Sequence, residues 1–316
     1  MSTPTKSEKF FTILKNLFIV LLVLQFLPST ISSVRTTLEE AMSSKIHVGY
    51  IKIRGVIADS SFYTKKINEF SKAPEIKGLI LKIDSPGGLP GSAQAIFNEL
   101  KRFKKNKPII VVTENMCASA AYYIAVAGNK IICAPSALVG SIGTVMQVPN
   151  VKDLLENWRV KFDYIQSGSF KTAGSPMKKM SLQEHEYLQA LADDMYKQFV
   201  NDVAQCRGID LKKSKVWADG KAFTGTQALK LNLVDSTGSI QDAIDAMKAL
   251  LKTKEELKLI QPERGGSPLM KLLVGPEEEY GAESFCGTEV AASFLNEVYN
   301  KFLMKQATAS NTAAMN

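Results

Sequence analysis

Two short, continuous apolar runs in this chain are each followed by a turn and then by helical spacing. The run Gly78 to Asp84 (GLILKID) leads into a Ser-Pro-Gly-Gly turn, and a helix is predicted over Ser92 to Lys104. The run Pro108 to Thr113 leads into Ser119, where the next helix is predicted to begin. Continuous apolar strands are typical of parallel sheets that are covered on both faces. The repeat therefore predicts an α/β domain with right-handed crossovers.

Further strands are predicted on both sides of this region. Ile46 to Ile53 and Lys130 to Ala134 have the composition of buried strands, whereas Val160 to Gln166 alternates apolar and polar residues. Val145 to Val148 is a further candidate strand. Ser181 with Glu184 forms a capping box, which predicts the start of a long helix.

The N-terminal part of the chain contains an apolar segment from Phe10 to Leu27, preceded by Lys6 and Lys9. Its length fits a transmembrane helix at the lower end of the spanning range, and also the apolar region of a cleaved signal peptide. The segment shows no polar face, which argues against a buried amphipathic helix. We favour a single-pass membrane anchor. The preceding lysines predict a cytoplasmic N-terminus and a catalytic domain on the extracytoplasmic side.

The pattern divides the chain into four parts. Residues 1–33 form the anchor or signal peptide, and residues 34–45 form a polar linker. Residues 46–252 contain all the strand-turn-helix repeats and form the main domain. Residues 253–316 form a C-terminal extension, whose small, polar end is predicted to be disordered.

Charge and composition exclude several classes of function. The net charge is +8, from 39 basic and 31 acidic residues, and the excess is scattered along the chain. Basic clusters such as the one at residues 101–107 have the character of a solvated helix end, without the interleaved aromatics of a nucleic-acid site. The four cysteines show no metal-ligand spacing, so neither a zinc site nor any other metal or cofactor is predicted. Only two histidines are present, which leaves a Ser-His-Asp triad few ways to form.

Ser119 lies between a buried strand and an apolar helix and is surrounded by small residues, in the sequence CASAAYY. A serine at this place has two interpretations on local grounds. It is either the N-cap of the helix or a nucleophile next to free backbone N–H groups. The small neighbours leave room for a substrate backbone.

Five motifs occur in a fixed order: DSPGG at 84–88, CASAAYY at 117–123, GSIG at 140–143, SGSFKTAGSP at 167–176 and ADGKAFTGTQALKLNLVD at 218–235. Together they resemble the signal peptide peptidase A family of membrane-bound serine proteases with a Ser/Lys dyad. The resemblance covers about residues 46 to 250. It implies a crotonase/Clp-protease-like ββα superhelix, a ring-shaped homo-oligomer, and peptide substrates such as remnant signal peptides. In that family, the serine and lysine of one site can come from neighbouring subunits.

The resemblance also assigns roles to five residues. Ser119 is the nucleophile and Lys171 the general base, and Ser141 orients the lysine. The backbone N–H groups of Gly88 and Ala120 form the oxyanion hole. A lysine acts as a base only when neutral, so burial has to lower its pKa. The alternatives are a solvated loop lysine at 171, a turn serine at 141 and a plain strand-to-helix turn at Gly88.

The sequence analysis thus favours a membrane-anchored Ser/Lys endopeptidase that cleaves membrane-adjacent peptides with small or apolar residues at the cleavage site. Two alternatives keep the fold. One is a crotonase-type acyl-CoA hydratase or isomerase, which would use carboxylates near the oxyanion hole. The other is a non-catalytic membrane scaffold.

Overall fold

A computed structural model describes residues 45–262 of the chain. The predicted membrane anchor, most of the linker and most of the C-terminal extension lie outside these residues. Within them, the strands are β1 Ile46–Arg54, β2 Ile76–Asp84, β3 Ile109–Thr113, β4 Met116–Ala118, β5 Lys130–Cys133, β6 Leu138–Gly140, β7 Ala222–Thr224, β8 Ser236–Thr237 and β9 Leu257–Ile260. The helices are α1 Ser61–Lys72, α2 Pro90–Lys104, α3 Ala120–Ala125, α4 Lys152–Asn157, α5 Leu182–Arg207, α6 Ser214–Trp217, α7 Gly225–Lys230 and α8 Ile240–Leu251.

The larger sheet has the strand order β8-β5-β3-β2-β1-β9. The pairs β1–β2, β2–β3, β3–β5 and β5–β8 are all parallel. All five residues of β3, at the centre, are buried. The predicted α/β class with a parallel sheet is therefore confirmed. The sheet also includes β9, so it continues past residue 252, where the sequence pattern placed the end of the domain.

Helix α2 shows why these segments become covering helices. Its buried side chains recur at helical spacing and form one apolar face: Ala93, Ile96, Phe97, Leu100 and Phe103. Pro90 stands in the first turn, where the missing N–H costs no intrahelical hydrogen bond. Three basic residues fill the last turn, where they complement the helix dipole.

The smaller sheet has the order β4-β6-β7, with β4–β6 parallel and β6–β7 antiparallel. It is tied to the larger sheet through Ser85, the residue directly after β2. The N–H of Ser85 donates to the Met116 carbonyl at 2.9 Å, and the Ala118 N–H donates to the Ser85 carbonyl at 3.2 Å. These bonds place the end of β4, and therefore Ser119, next to the carboxyl end of β2.

Helix α5 begins at the predicted capping box, where the Ser181 hydroxyl accepts from the Glu184 N–H and the Glu184 carboxylate accepts from the Ser181 N–H. It ends at Gly208, which has a left-handed conformation with φ 63°. Phe199, Val200 and Val203 are buried on the face of this helix that packs on the core.

The predicted strands at 145–148 and 160–166 are wrong: neither segment has regular secondary structure. Several of their apolar side chains are exposed, including Val145, Phe162 and Ile165, the last of which is fully exposed. A strand needs a hydrogen-bonded partner, and neither segment pairs with another part of the described chain.

Within residues 45–262, no helix is both long enough and apolar enough to cross a membrane.

The Tyr122 side chain, on α3, is fully buried, and its hydroxyl donates to the Leu233 carbonyl at 2.7 Å. The substitution Tyr122→Phe removes the hydroxyl and leaves the buried Leu233 carbonyl without its donor. We expect the free energy of unfolding to fall by about 1–3 kcal/mol, measured by urea denaturation. Tyr187→Phe is the matched control, because Tyr187 is exposed and its ring contact with Phe170 survives the change. Equal stabilities for the two variants would contradict the assigned role of the Tyr122 hydroxyl.

Candidate active site

Ser119 forms the turn between β4 and α3, with φ 52° and ψ −125°. A positive φ is unusual for a residue with a side chain and costs about 1–3 kcal/mol. The conformation is held by a hydrogen bond of 2.7 Å from the Ser119 N–H to the Gly140 carbonyl. The sequence ASAAYY permits so sharp a turn because its small side chains do not crowd it.

The local interpretation of Ser119 as a helix N-cap can be tested directly. The residue does precede the first residue of α3, but its side chain makes no capping hydrogen bond. Ser119 is only half-buried. Its hydroxyl is therefore not committed to the helix and remains available to a ligand.

The DSPGG turn packs directly against Ser119. A Cβ atom added to Gly87, whose φ is +114°, would lie 2.9 Å from the Ser119 Cβ and 3.1 Å from the Ala120 nitrogen. The buried Ser85 holds this turn in place, because its hydroxyl accepts from the Gly87 N–H at 3.1 Å. Glycine at 87 thus keeps the space in front of Ser119 and the Ala120 N–H open.

Gly88 forms an isolated parallel bridge with Ile57. Ile57 donates to the Gly87 carbonyl and accepts from the Leu89 N–H, each at 2.8 Å. In such a bridge the N–H of the central residue points away from the partner strand. A Cβ on Gly88 would lie 2.2 Å from the Ile57 oxygen. Glycine is therefore needed at 88 for close contact with the chain at Ile57.

Gly88 and Ala120 line the same cavity as Ser119. The Ala120 N–H stands in the first turn of α3, where an intrahelical acceptor is not available. Two backbone donors beside a hydroxyl form the arrangement that stabilises negative charge on a carbonyl oxygen under attack. The structure thus brings together three of the five predicted site residues.

The cavity has a volume of about 500 Å³. Its walls come from the start of α2, from α3, from the middle of α5 and from residues 143–145. The apolar part includes Ala93, Met195 and Phe199. Sequence reasoning missed Met195 and Phe199, since α5 lies more than 60 positions from Ser119 in the chain. The capping box predicted the helix but gave no sign that it faces the serine.

Tyr123 forms a polar part of the cavity wall. Its hydroxyl donates to the Asp202 carboxylate at 2.5 Å. Burial, and then the hydrogen bond to the negatively charged Asp202, raise the pKa of the Tyr123 phenol above its usual range. The amides of Gln94 and Gln198 lie 3.3 Å apart on the same side of the cavity.

Ser141, the predicted partner of the lysine, follows β6 with φ 48°. Its N–H donates to the Lys221 carbonyl at 2.9 Å and its hydroxyl to the Gly220 carbonyl at 3.3 Å. It is the residue directly after Gly140, which accepts from the Ser119 N–H. Ser141 is therefore close to the serine turn in space, with its hydroxyl bonded to the backbone that follows α6.

Lys171 is exposed, on the turn-rich loop that precedes α5, and it does not line the cavity of Ser119. Its backbone N–H donates to the Gly168 carbonyl at 3.1 Å. The structure of the single chain thus places the predicted base apart from the predicted nucleophile. Among the described residues, no three His, Cys, Asp or Glu side chains are grouped as a metal site requires.

Comparisons with known proteins identify relatives over most of the chain. The model of Peptidase family S49 matches residues 101–254. A Synechocystis sp. protein named “Putative protease” is 34% identical over 243 residues, which cover 75% of this chain and 86% of the relative. An Enterococcus faecium protein named “Putative signal peptide peptidase SppA” is 34% identical over 226 residues, covering 67% of this chain and 65% of the relative. Among solved structures, a ClpP1 mutant from Listeria monocytogenes matches with a TM-score of 0.44 at 15% identity, over 61% of this chain and 93% of that one.

We expect Gly87→Ala to suppress the reactivity of Ser119. The added methyl group requires a strained φ and occupies the space in front of the Ala120 N–H. Labelling of Ser119 by a fluorophosphonate should slow by roughly 100-fold, the loss typical of one oxyanion donor.

Gly91→Ala is the matched control for this substitution. Gly91 borders the same cavity, but a Cβ at this position meets nothing within 4 Å. The control should label at the wild-type rate, with thermal unfolding confirming that both variants fold. A Gly87→Ala protein that labels within threefold of wild type would refute the role given to the turn.

Proposed function

The chain belongs to peptidase family S49, and on this premise we propose that it is a membrane-anchored serine endopeptidase that uses Ser119 and Lys171. The observation that carries the proposal is the strained Ser119 turn, whose hydroxyl makes no capping hydrogen bond and which lines one cavity together with Gly88 and Ala120. Family membership supports a peptidase over an acyl-CoA enzyme, and labelling of Ser119 would exclude the scaffold.

In the proposed reaction, the Ser119 hydroxyl attacks the scissile carbonyl and transfers its proton to the neutral amine of Lys171. The N–H groups of Gly88 and Ala120 stabilise the oxyanion of the tetrahedral intermediate. The protonated lysine then gives its proton to the leaving amine, and the peptide bond breaks. Water repeats these steps on the acyl-enzyme and regenerates the free serine.

The exposure of Lys171 leads us to propose that one active site is built from two copies of the chain. A lysine acts as a base only when its amine is neutral, a form that burial favours, and a single copy leaves this side chain in solvent. The segment around it also exposes large apolar residues, among them Trp158, Phe162 and Ile165. A second copy packed on this segment would cover those side chains and bury the lysine. The ring-shaped oligomer implied by the family resemblance supplies such a contact.

The proposed substrates are peptides close to a membrane, such as remnant signal peptides, with small or apolar side chains at the cleavage site. The apolar walls formed by Ala93, Met195 and Phe199 support this preference.

The apolar segment Phe10 to Leu27 supports the anchor, and the lysines before it support an extracytoplasmic catalytic domain. We also propose that the two sheets form the ββα superhelix of Clp-like proteases.

Subunit complementation tests the shared site. Ser119→Ala and Lys171→Ala chains should each lose peptidase activity by several orders of magnitude. When the two are co-expressed in equal amounts, random mixing places an intact serine next to an intact lysine in about a quarter of the sites. We therefore expect about a quarter of the wild-type activity per subunit, measured with a fluorogenic peptide.

Co-expression of wild type with the Ser119→Ala/Lys171→Ala double variant is the control. A site shared between copies again gives about a quarter, whereas a dyad within one chain gives about half. A dyad within one chain also predicts no rescue of the two single variants. If Lys171→Ala keeps most of its activity, another group is the base and the proposed dyad is wrong.

Carbonate extraction of membranes tests the anchor. The full-length chain should stay in the pellet, because the apolar segment at residues 10–27 is long enough to span the hydrocarbon core. A variant with Leu21→Arg and Leu22→Arg should be extracted, while Ser119→Ala should behave like wild type. Complete extraction of the wild-type protein would rule out the anchor.

A further inference from the structure

The amino ends of the parallel strands meet at one edge of the larger sheet, which we call the amino edge. The register pairs His47 of β1 with Ile76 of β2, and Ile110 of β3 with Lys130 of β5. The Ser119 site lies at the opposite edge, beyond the carboxyl ends of β2 and β3. The two edges are therefore available for different tasks.

Three helices also end at the amino edge. The Lys107 ammonium, just before β3, donates to the carbonyls of Phe70 and Ala73 at the end of α1. The Lys104 ammonium, at the end of α2, donates to the Gly128 carbonyl just before β5. Burial lowers the pKa of both lysines. They hold the edge together and are not the solvated side chains that the sequence pattern predicted.

Helix α8 reaches the same edge. It follows β8 and packs on β2 and β3. Its Met247 lies against Gly78, near the amino end of β2. The last residues of α8, and the residues after it, therefore lie at the amino edge.

Exposed lysines converge on this edge from five separate parts of the chain. They are Lys72, Lys77, Lys105, Lys130, Lys252 and Lys254. The exposed carboxylates at this edge are fewer: Glu69 at the end of α1, Glu75 before β2, Asp235 before β8, and Glu255 and Glu256 after α8. Glu69 and Asp235 already pair with Lys66 and Arg207. The edge thus carries an excess of positive charge that the sequence, with its scattered lysines, does not reveal.

Local helix chemistry explains only part of this excess. Lys72, Lys105 and Lys252 stand at or just after helix C-termini, where a cation complements the helix dipole. Lys77 and Lys130 are in the first residues of strands, where no such dipole acts. The Lys77 ammonium donates one hydrogen bond, to the Pro74 carbonyl at 2.8 Å, which leaves two of its three N–H groups for another partner. Their presence points to a partner of opposite charge that meets the whole edge.

We propose that the amino edge lies on an anionic phospholipid surface. The chain enters the sheet at Ile46, at this edge, directly after the predicted linker. Residues 34–45 can span at most about 40 Å, which keeps this edge within reach of a bilayer that holds the anchor. The opposite edge, with Ser119, then faces away from the lipid. The inference rests on the proposed membrane attachment.

The electrostatics of such a contact are predictable. Each lysine close to an anionic leaflet increases the equilibrium constant for the bound orientation roughly fivefold. The attraction decays within a Debye length, which is about 8–10 Å at moderate salt. The contact should therefore need anionic lipid and should disappear at high ionic strength.

Lysine footprinting tests the proposal on the full chain. The protein is mixed with vesicles of phosphatidylcholine, or with vesicles of phosphatidylcholine and phosphatidylglycerol in a ratio of about 7:3. It is acetylated briefly, and each lysine is quantified by mass spectrometry. We expect labelling at the amino edge to slow roughly fivefold on anionic vesicles only, and the protection to vanish in about 0.5 M salt. The internal reference is a group of exposed lysines after α5, which should label equally in all samples: Lys212, Lys213 and Lys215.

Charge-matched variants sharpen the test. The edge variant combines Lys72→Gln, Lys105→Gln and Lys252→Gln, and should abolish the protection of Lys77 and Lys130. The control variant removes the same number of charges from the reference group and should keep that protection: Lys212→Gln, Lys213→Gln and Lys215→Gln. Peptidase activity on a soluble peptide reports that both variants fold.

Each outcome decides the question. Equal labelling of the edge on neutral and anionic vesicles overturns the proposal, as does loss of protection in the control variant. Protection by a single-stranded oligonucleotide but not by anionic vesicles would assign the edge to nucleic acid and also overturn it. If carbonate extraction shows that the chain has no anchor, protection on anionic vesicles still supports the edge contact, so the two proposals fail separately.

Discussion

The hydrogen bond from the Ser119 N–H to the Gly140 carbonyl holds the candidate site together. It keeps Ser119 in a backbone conformation that costs about 1–3 kcal/mol, which the chain tolerates only because both flanking strands are fixed. The turn after β2 is fixed in turn by Ser85, which bonds to β4 through its backbone and to Gly87 through its hydroxyl. The geometry of the site therefore depends on the hydrogen bonds that connect the two sheets. A substitution that displaces either sheet would also displace Ser119.

The parallel sheet separates two kinds of chemistry. Turns at the carboxyl ends of the strands carry the serine and the two backbone donors, as is usual for ligand sites in open parallel sheets. The amino ends collect lysines from α1, α2, α8 and the strands between them. This separation follows from topology, because every crossover helix returns the chain to the amino edge. In the proposed arrangement, the amino edge contacts an anionic lipid surface while the opposite edge, with Ser119, stays open to a peptide.

The elements that were predicted correctly are those whose environment is local in the sequence. Gly78 to Asp84 and Pro108 to Thr113 are mostly apolar because each strand is covered on both faces, and the structure confirms both strands. The capping box at Ser181 likewise determined where α5 begins. The alternation from Val160 to Gln166 was misleading, since a strand also requires a neighbour and residues 45–262 offer none. The position of Lys171 relative to Ser119 could not be predicted for the same reason. It depends on which other part of the protein the loop around Lys171 packs against, and the sequence of the loop does not specify that.

The sequence by itself determined the α/β class and the positions of the main turns, because these follow from apolar runs and from motifs at strand ends. The choice of Gly88 and Ala120 as partners of Ser119 came from the family that these motifs resemble, and the structure places all three residues on one cavity. Only the tertiary structure decided that the absence of a side chain at Gly87 keeps the space in front of Ser119 open, and that α5 forms one wall of the cavity. It also decided that lysines from distant segments lie at one edge of the sheet. The physical reason is that packing distances between elements depend on how whole helices and sheets fit together. A pattern of residues along the chain records which side of an element is buried, but not which element covers it.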